Sequence, residues 1–105
     1  MARNAVAHEV RRPEDDFILS AGAYYFMRYP NEAEPCGIVH GCPCGCGMQS
    51  ALWFKGRSHA GAPEWDVAGE WPKVTLSPSI GIVKDRGTGR FHWHGYLRNG
   101  VFEEI

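Results

Sequence analysis

The amino-acid sequence predicts a small, mainly β protein built as a single antiparallel β-sandwich or roll with an N-terminal arm and a C-terminal hairpin. Three observations support this fold class. The 105 residues and their 44% hydrophobic content suit one domain. The 13 glycines and 7 prolines are dispersed along the chain, which favours many turns and short strands. No stretch shows the length and the 3.6-residue period of a convincing amphipathic helix.

Short runs of apolar and aromatic residues between the turns are predicted to form the strands. Pro78 interrupts one apolar stretch and predicts an edge or a bend between two short strands, because proline cannot donate a ladder hydrogen bond. Asn99-Gly100 is the strongest hairpin signal in the chain. The predicted strands cover residues 23–29, 38–40, 49–55, 65–69, 73–76, 80–83, 91–98 and 101–105.

The first 16 residues differ in composition from the rest of the chain. They are polar and carry both charges, so the sequence predicts an arm over 1–16 and one β domain over 17–105. Two interpretations of the arm stay open: a disordered tail, or an extension that becomes ordered against a partner. The arm lacks the continuous apolar stretch of a secretory signal, and no run approaches the roughly 20 apolar residues that span a bilayer. We therefore expect neither signal-peptide secretion nor a membrane partner.

The charge balance argues against nucleic acid as a partner. With 11 basic and 12 acidic side chains, the formal net charge is −1, so no global positive field would collect a polyanion. Lys84, Arg86 and Arg90 flank a glycine-rich loop next to Phe91 and Trp93, a combination that can bind single strands. A solvated hairpin loop explains these few charges better.

Three cysteines in five residues form the most specific motif of the chain. Cys42, Cys44 and Cys46 alternate with Pro43 and Gly45, where side-chain packing has little to offer. In a cytosolic protein, clustered cysteines are more often metal ligands than disulfides. In a straight strand the three thiols would share one face but spread over roughly 13 Å. One ion can reach all three only if the chain bends at Pro43 or Gly45.

A second candidate group lies in the predicted strand 91–98. Strand alternation puts its two histidines on one face and Trp93 with its apolar neighbours on the other. Thiolate and imidazole are the ligands that Zn²⁺ prefers, so the sequence predicts one structural zinc ion that staples the cysteine turn to the C-terminal hairpin. The candidate ligands are Cys42, Cys44, Cys46, His92 and His94.

The five candidates are not equivalent. Cys44, Cys46 and His94 are the strongest, and the other two compete for the remaining coordination position. His40 lies two residues before the cysteine cluster and continues its alternation. It is a weaker candidate, since an ordinary strand histidine explains it more simply.

Three sequence blocks carry a resemblance to a known family. They are GCPCGCG at 41–47, PKVTLSPSI at 72–80 and HWHGYLRNG at 92–100. These blocks resemble a family of small uncharacterised proteins from phages, prophages and bacteria, which has no assigned activity. The resemblance implies a small β-rich domain that binds zinc. Relatives often carry a cysteine a few residues before the histidine that matches His94. This chain has Arg90-Phe91-His92 there, so His92 would substitute for that cysteine.

These features lead to an expected function without catalysis. The sequence predicts a zinc-stabilised phage protein that acts through protein–protein contacts, as a head, neck or tail component of the virion. Its expected partners are other protein subunits, including phage structural proteins and further copies of the chain. Its expected location is the host cytoplasm, the virion or both. Exposed tryptophans could anchor such contacts.

Alternative functions are an intracellular phage or bacterial accessory protein with zinc-dependent hydrolase activity or with nucleic-acid binding. The candidate acids near the motifs do not lie in an HExxH or a deaminase pattern, and a filled Cys/His shell favours a structural ion. Ser77 and Ser79 lie outside a G-x-S-x-G motif, so no serine nucleophile is predicted from spacing. The candidate acids are Glu64, Asp66, Glu70 and Asp85.

Overall fold

The apolar runs form nine β-strands in the computed structural model of the chain, which describes residues 3–11, 18–58, 61–85 and 90–105. The described residues contain no helix, and hence no helix long and apolar enough to cross a membrane. The predicted mainly β fold class is confirmed. The strands are β1 (Ala5–Val6), β2 (His8–Glu9), β3 (Ala23–Met27), β4 (Gly37–Gly41), β5 (Gln49–Phe54), β6 (Glu64–Ala68), β7 (Thr75–Asp85), β8 (Arg90–Arg98) and β9 (Val101–Glu104).

The strands form one continuous sheet that is nearly closed on itself. Their order is β1-β9-β8-β7-β6-β5-β4-β3-β2. Only the β2–β3 and β5–β6 pairs are parallel. The two ends of the order, β1 and β2, follow each other directly in the chain. The N-terminal segment therefore bridges β9 and β3, and brings the two ends of the sheet together as in a barrel.

The described part of the predicted N-terminal arm lies on its own domain. Ala7, between β1 and β2, is buried in the core and donates its N–H to Gly100 O at 2.8 Å. Val10 donates to Tyr24 O at 2.8 Å. β1 and β2 thus belong to the same sheet as the rest of the domain. The predicted boundary between residues 16 and 17 lies outside the described residues.

The sequence predicts an edge or a bend at Pro78 between two short strands. The Ser-Pro-Ser segment instead forms a bulge inside one long strand, β7. Leu76 pairs with Leu97 and Ile80 pairs with Gly95. Three residues of β7 therefore lie opposite one residue of β8, Tyr96. Such a bulge bends a strand and redirects its side chains. Pro78 is exposed there, where its missing N–H is tolerated.

Alternating side chains of the strands fill the interior. Trp93 and Leu97 of β8 are 1% and 0% exposed, so the apolar face predicted for this strand does point into the core. Gly95 lies between them, and a Cβ there would meet Glu103 O at 2.1 Å. Only glycine therefore allows the observed approach of β8 and β9. Other large buried side chains include Leu19, Tyr24, Ile38, Leu52, Leu76, Ile80 and Phe102.

His40 is a core residue rather than part of the cysteine cluster. Its ring is fully buried, is stacked on Phe102 with centroids 4.9 Å apart, and has Nδ1 3.1 Å from Gly41 O. Among the described residues, its Nε2 has no hydrogen-bond partner. Burial lowers the pKa of His40 to about 4, although the hydrogen bond to Gly41 opposes this shift.

The buried His40 predicts a loss of stability in mild acid. Between an ordinary pKa of about 6.5 and the folded value of about 4, the unfolded chain takes up the proton first, so folding loses up to about 3 kcal/mol as the pH falls. Urea unfolding at pH 7, 6, 5 and 4 measures this. We expect His40→Leu to be less pH-dependent than the wild type by about that amount. Equal pH dependence of the two proteins would contradict the assignment.

Candidate active site and metal centre

The cysteine turn follows β4 and bends sharply enough to gather its three thiols. Gly45 donates its N–H to Cys42 O at 2.9 Å, and Gly45 and Gly47 have φ values of +84° and +90°, which glycine adopts at little cost. Cys42 also donates its N–H to Met48 O at 2.8 Å, which closes the base of the turn. The predicted bend at Gly45 is therefore present.

His92 of β8 completes this group from the other side of the site. The ligand atoms of Cys42, Cys44, Cys46 and His92 all lie within 4.8 Å of one another. Cys44 Sγ is 3.0 Å from His92 Nε2 and 3.3 Å from Cys42 Sγ. With Zn–S bonds near 2.3 Å, the ligand atoms of a tetrahedral site are separated by roughly 3.5–4 Å. These four side chains could therefore hold one metal ion.

Burial and hydrogen bonding act differently on two of the thiols. Burial raises the pKa of the Cys42 thiol above its ordinary value. Burial also disfavours the Cys44 thiolate, but hydrogen bonds from Cys42, Cys46 and His92 outweigh it and lower the pKa of Cys44. The cluster thus favours a thiolate at Cys44, which is the protonation state that a metal ligand requires.

Contacts from the chain's N-terminal segment hold the backbone of His92. The guanidinium of Arg3 donates to His92 O at 2.8 Å and forms an ion pair with the carboxylate of Glu104. Hydrogen bonds from Arg3 lower the pKa of Glu104. The indole of Trp93 donates to Arg3 O at 2.9 Å. β8, which carries His92, is therefore hydrogen-bonded to the N-terminal segment, and Arg3 of that segment is also paired with Glu104 of β9. Such contacts fix the position of a functional side chain.

His94 lies on the same face of β8 but contacts a different element. Its Nε2 is 3.0 Å from the Oγ of Ser79 in the bulge of β7. Both side chains are half-buried, whereas Ser77, Pro78 and Gly81 around them are exposed. A serine hydroxyl within hydrogen-bond reach of an imidazole is the arrangement that activates serine as a nucleophile.

Ser79 is the last residue of the bulge in β7 and contacts His94 from there. Three residues of β7 opposite one of β8 shift the register, and the Ser79 carbonyl accepts the Trp65 indole N–H at 3.2 Å. Ser79 is a candidate that sequence motifs miss, because it lies outside a nucleophile motif and its partner is 15 residues away along the chain. The only sequence signal is the Ser-Pro-Ser block itself.

The structure brings four of the five predicted metal ligands together and places the fifth elsewhere. His94, predicted as one of the strongest ligands, lies outside the group of four and contacts Ser79 instead. The ring of His92 contacts the cysteine turn, whereas the ring of His94 contacts the bulge of β7. The four-residue group therefore includes His92 and not His94.

A comparison with protein families shows the family to which the chain belongs. The family model described as "Bacterial ubiquitination-like system serine protease (BubE)" matches residues 10–105. The chain belongs to this BubE family. The matched region includes the cysteine turn, the bulge and β8. Searches of the curated proteins and of the solved structures found no significant match.

Membership of the BubE family corrects the predicted function. The family is a bacterial protease family, so the prediction of a non-catalytic phage virion component is wrong. The resemblance to small bacterial proteins holds, whereas its phage origin is not supported. The predicted alternative of hydrolase-type activity fits better. One support for that prediction was an N-terminal arm that could reach a neighbouring subunit. The described residues of this segment pair with their own sheet instead.

Substitutions of the two histidines of β8 are expected to have different effects on metal binding. We expect His92→Gln and Cys44→Ser to abolish or strongly weaken metal binding, because each removes a ligand of the four-residue group. His94→Gln should keep one ion per chain. Cys36→Ser should do the same, because the buried thiol of Cys36 donates to Met27 O at 3.4 Å and lies outside the four-residue group. Metal analysis of dialysed protein by mass spectrometry measures the stoichiometry. Loss of the ion in His94→Gln would contradict the assignment.

Proposed function

We propose that the chain is a serine protease in which Ser79 is the nucleophile and His94 the general base. The observation that carries this proposal is the 3.0 Å distance between Ser79 Oγ and His94 Nε2. The description of the BubE family supports it, because a serine protease needs a serine hydroxyl next to a proton acceptor. Both side chains are half-buried, and Ser77, Pro78 and Gly81 near them are exposed.

The proposed reaction passes through an acyl-enzyme. Ser79 Oγ attacks the scissile carbonyl carbon while its proton moves to His94 Nε2. The imidazolium of His94 then donates that proton to the leaving nitrogen, the C–N bond breaks, and an ester to Ser79 remains. Water attacks this ester with His94 as base, which releases the new carboxyl end and restores the serine hydroxyl.

Backbone and side-chain contacts hold both residues on strands rather than on loops. The Trp65 indole binds the Ser79 carbonyl at 3.2 Å, and Ile105 N–H donates to His94 O at 2.9 Å. Catalytic groups placed on such supported elements keep their geometry better than groups on free loops. The site is therefore organised for attack before any substrate arrives.

We further propose that the metal of the neighbouring centre is zinc with a structural role. Three thiolates and one imidazole suit zinc better than magnesium or calcium. They also fill a tetrahedral shell, whereas a catalytic zinc keeps one position open. The ion would join the cysteine turn to β8 at His92, two residues before His94. The residues Cys42, Cys44, Cys46 and His92 would thus support the strand that carries the base.

The expected substrates and partners are proteins. The family description assigns BubE proteases to bacterial ubiquitination-like systems, whose components act on protein chains. We infer that this chain cleaves a peptide bond, or a related amide bond, in a protein of such a system.

Replacement of the proposed nucleophile tests the function. We expect Ser79→Ala to lose covalent labelling by a fluorophosphonate probe and to cut peptide hydrolysis by at least about 1,000-fold, because no acyl-enzyme can form. His94→Gln should lower both by about 100-fold or more, since it removes the base. Ser77→Ala is the matched control, because this exposed serine lies two residues away in the same bulge.

Mass spectrometry of the labelled peptide identifies the modified residue. Labelling at Ser79 in the wild type and in Ser77→Ala supports the proposal. Undiminished hydrolysis by Ser79→Ala, in protein free of contaminating proteases, would overturn it.

A further inference from the structure

The outer edge of β7 is open next to the Ser79–His94 pair. β6 pairs with β7 only through Asp66–Ser77, Val67–Leu76 and Ala68–Thr75. Past Ser77, β6 leaves β7 and pairs with β5 instead. In the parts of the chain that the structure describes, no other strand lies along that side of β7 at Gly81.

The register shows which backbone groups face this open edge. Ile105 N–H donates to His94 O, so the backbone groups of His94 point towards β9. In an antiparallel ladder, opposite residues either exchange both hydrogen bonds or exchange neither. Gly81 is directly opposite His94, so its N–H and C=O point away from β8, towards the open edge. The Ser79 carbonyl, two residues earlier, also points outward, since it accepts the Trp65 indole.

Gly81 has no side chain to block the open edge beside the proposed nucleophile. It is exposed and lies across from His94 on the face that carries Ser79. Glycine inside a strand often marks a place where another backbone approaches closely. An open donor–acceptor pair two residues from Ser79 is therefore available to a second extended chain.

We propose that the substrate binds as an extended peptide that adds a strand to β7, with hydrogen bonds to the N–H and C=O of Gly81. This inference rests on the proposed protease function and specifies how the substrate is held. Strand addition supplies main-chain hydrogen bonds that do not depend on sequence, and it would bring the scissile carbonyl alongside Ser79.

The Trp65 indole limits the pairing to one side of the scissile bond. The indole hydrogen-bonds to the outward carbonyl of Ser79, and β6 covers β7 from Thr75 to Ser77. A peptide on the Gly81 edge must therefore leave the sheet at Ser79. Residues on one side of the scissile bond pair with β7, and residues on the other side do not.

The first test changes the substrate and leaves the enzyme intact. A library of internally quenched peptides yields the best-cleaved sequence, which is then N-methylated at one backbone position at a time. We expect kcat/KM to fall at least tenfold at the position that pairs with Gly81. Methylation of the adjacent residue, whose N–H points away from β7, should change it less than about threefold. The alternation should occur on one side of the scissile bond only.

The second test changes the edge. Gly81→Pro removes the outward N–H without removing a bond to β8, and should lower peptide kcat/KM at least tenfold while fluorophosphonate labelling of Ser79 stays within about threefold. Gly81→Ala keeps the N–H and is the matched control, with a smaller loss expected. Thermal melting confirms that each variant is folded, and the methylation series does not depend on either variant.

The outcomes separate this inference from the proposed function. Labelled Ser79 with alternating methylation effects supports both. Labelled Ser79 with no alternation, or with no cleaved peptide in the library, overturns the strand-addition inference and leaves the protease function standing. Absence of labelling at Ser79 overturns the protease function and this inference with it.

Discussion

The antiparallel pairing of β7 with β8 is the constraint on which both candidate sites depend. Its bulge places three residues of β7 opposite one of β8, and Ser79, the last of these three residues, contacts His94. The same register turns the backbone of Gly81 outward. A regular ladder of the same residues would shift every side chain after the bulge relative to its partner. The register between β7 and β8 therefore decides which side chains of the two strands meet at the serine–histidine pair.

The two histidines of β8 belong to two neighbouring candidate sites. Strand alternation puts both on one face, but their rings contact different partners. His92 faces the cysteine turn and His94 faces the bulge. A metal ion at His92 would restrain β8 within two residues of the proposed base. With this close spacing, the proposed structural ion would support the geometry of the proposed catalytic pair.

Closure of the sheet by the N-terminal segment stabilises the same region. β1 pairs with β9 and β2 pairs with β3, while Arg3 contacts both Glu104 and the carbonyl of His92. Contacts between residues about 100 positions apart along the chain thus border the metal centre. The first residues, which have the composition of a free tail, are part of the support of the site.

Local chemistry in the sequence was sufficient for the β-rich class, the hairpin at Asn99-Gly100 and the cysteine turn. Glycine and proline constrain the backbone locally, and strand alternation repeats every two residues. Turns and strands can therefore be predicted from short stretches of sequence without knowledge of the fold. The choice between His92 and His94, the bulge at Pro78 and the partnership of His94 with Ser79 were decided only by tertiary structure. Each depends on the register between strands, which is set by the packing of residues such as Trp93 and by the crowding that requires Gly95, and no local pattern encodes that register.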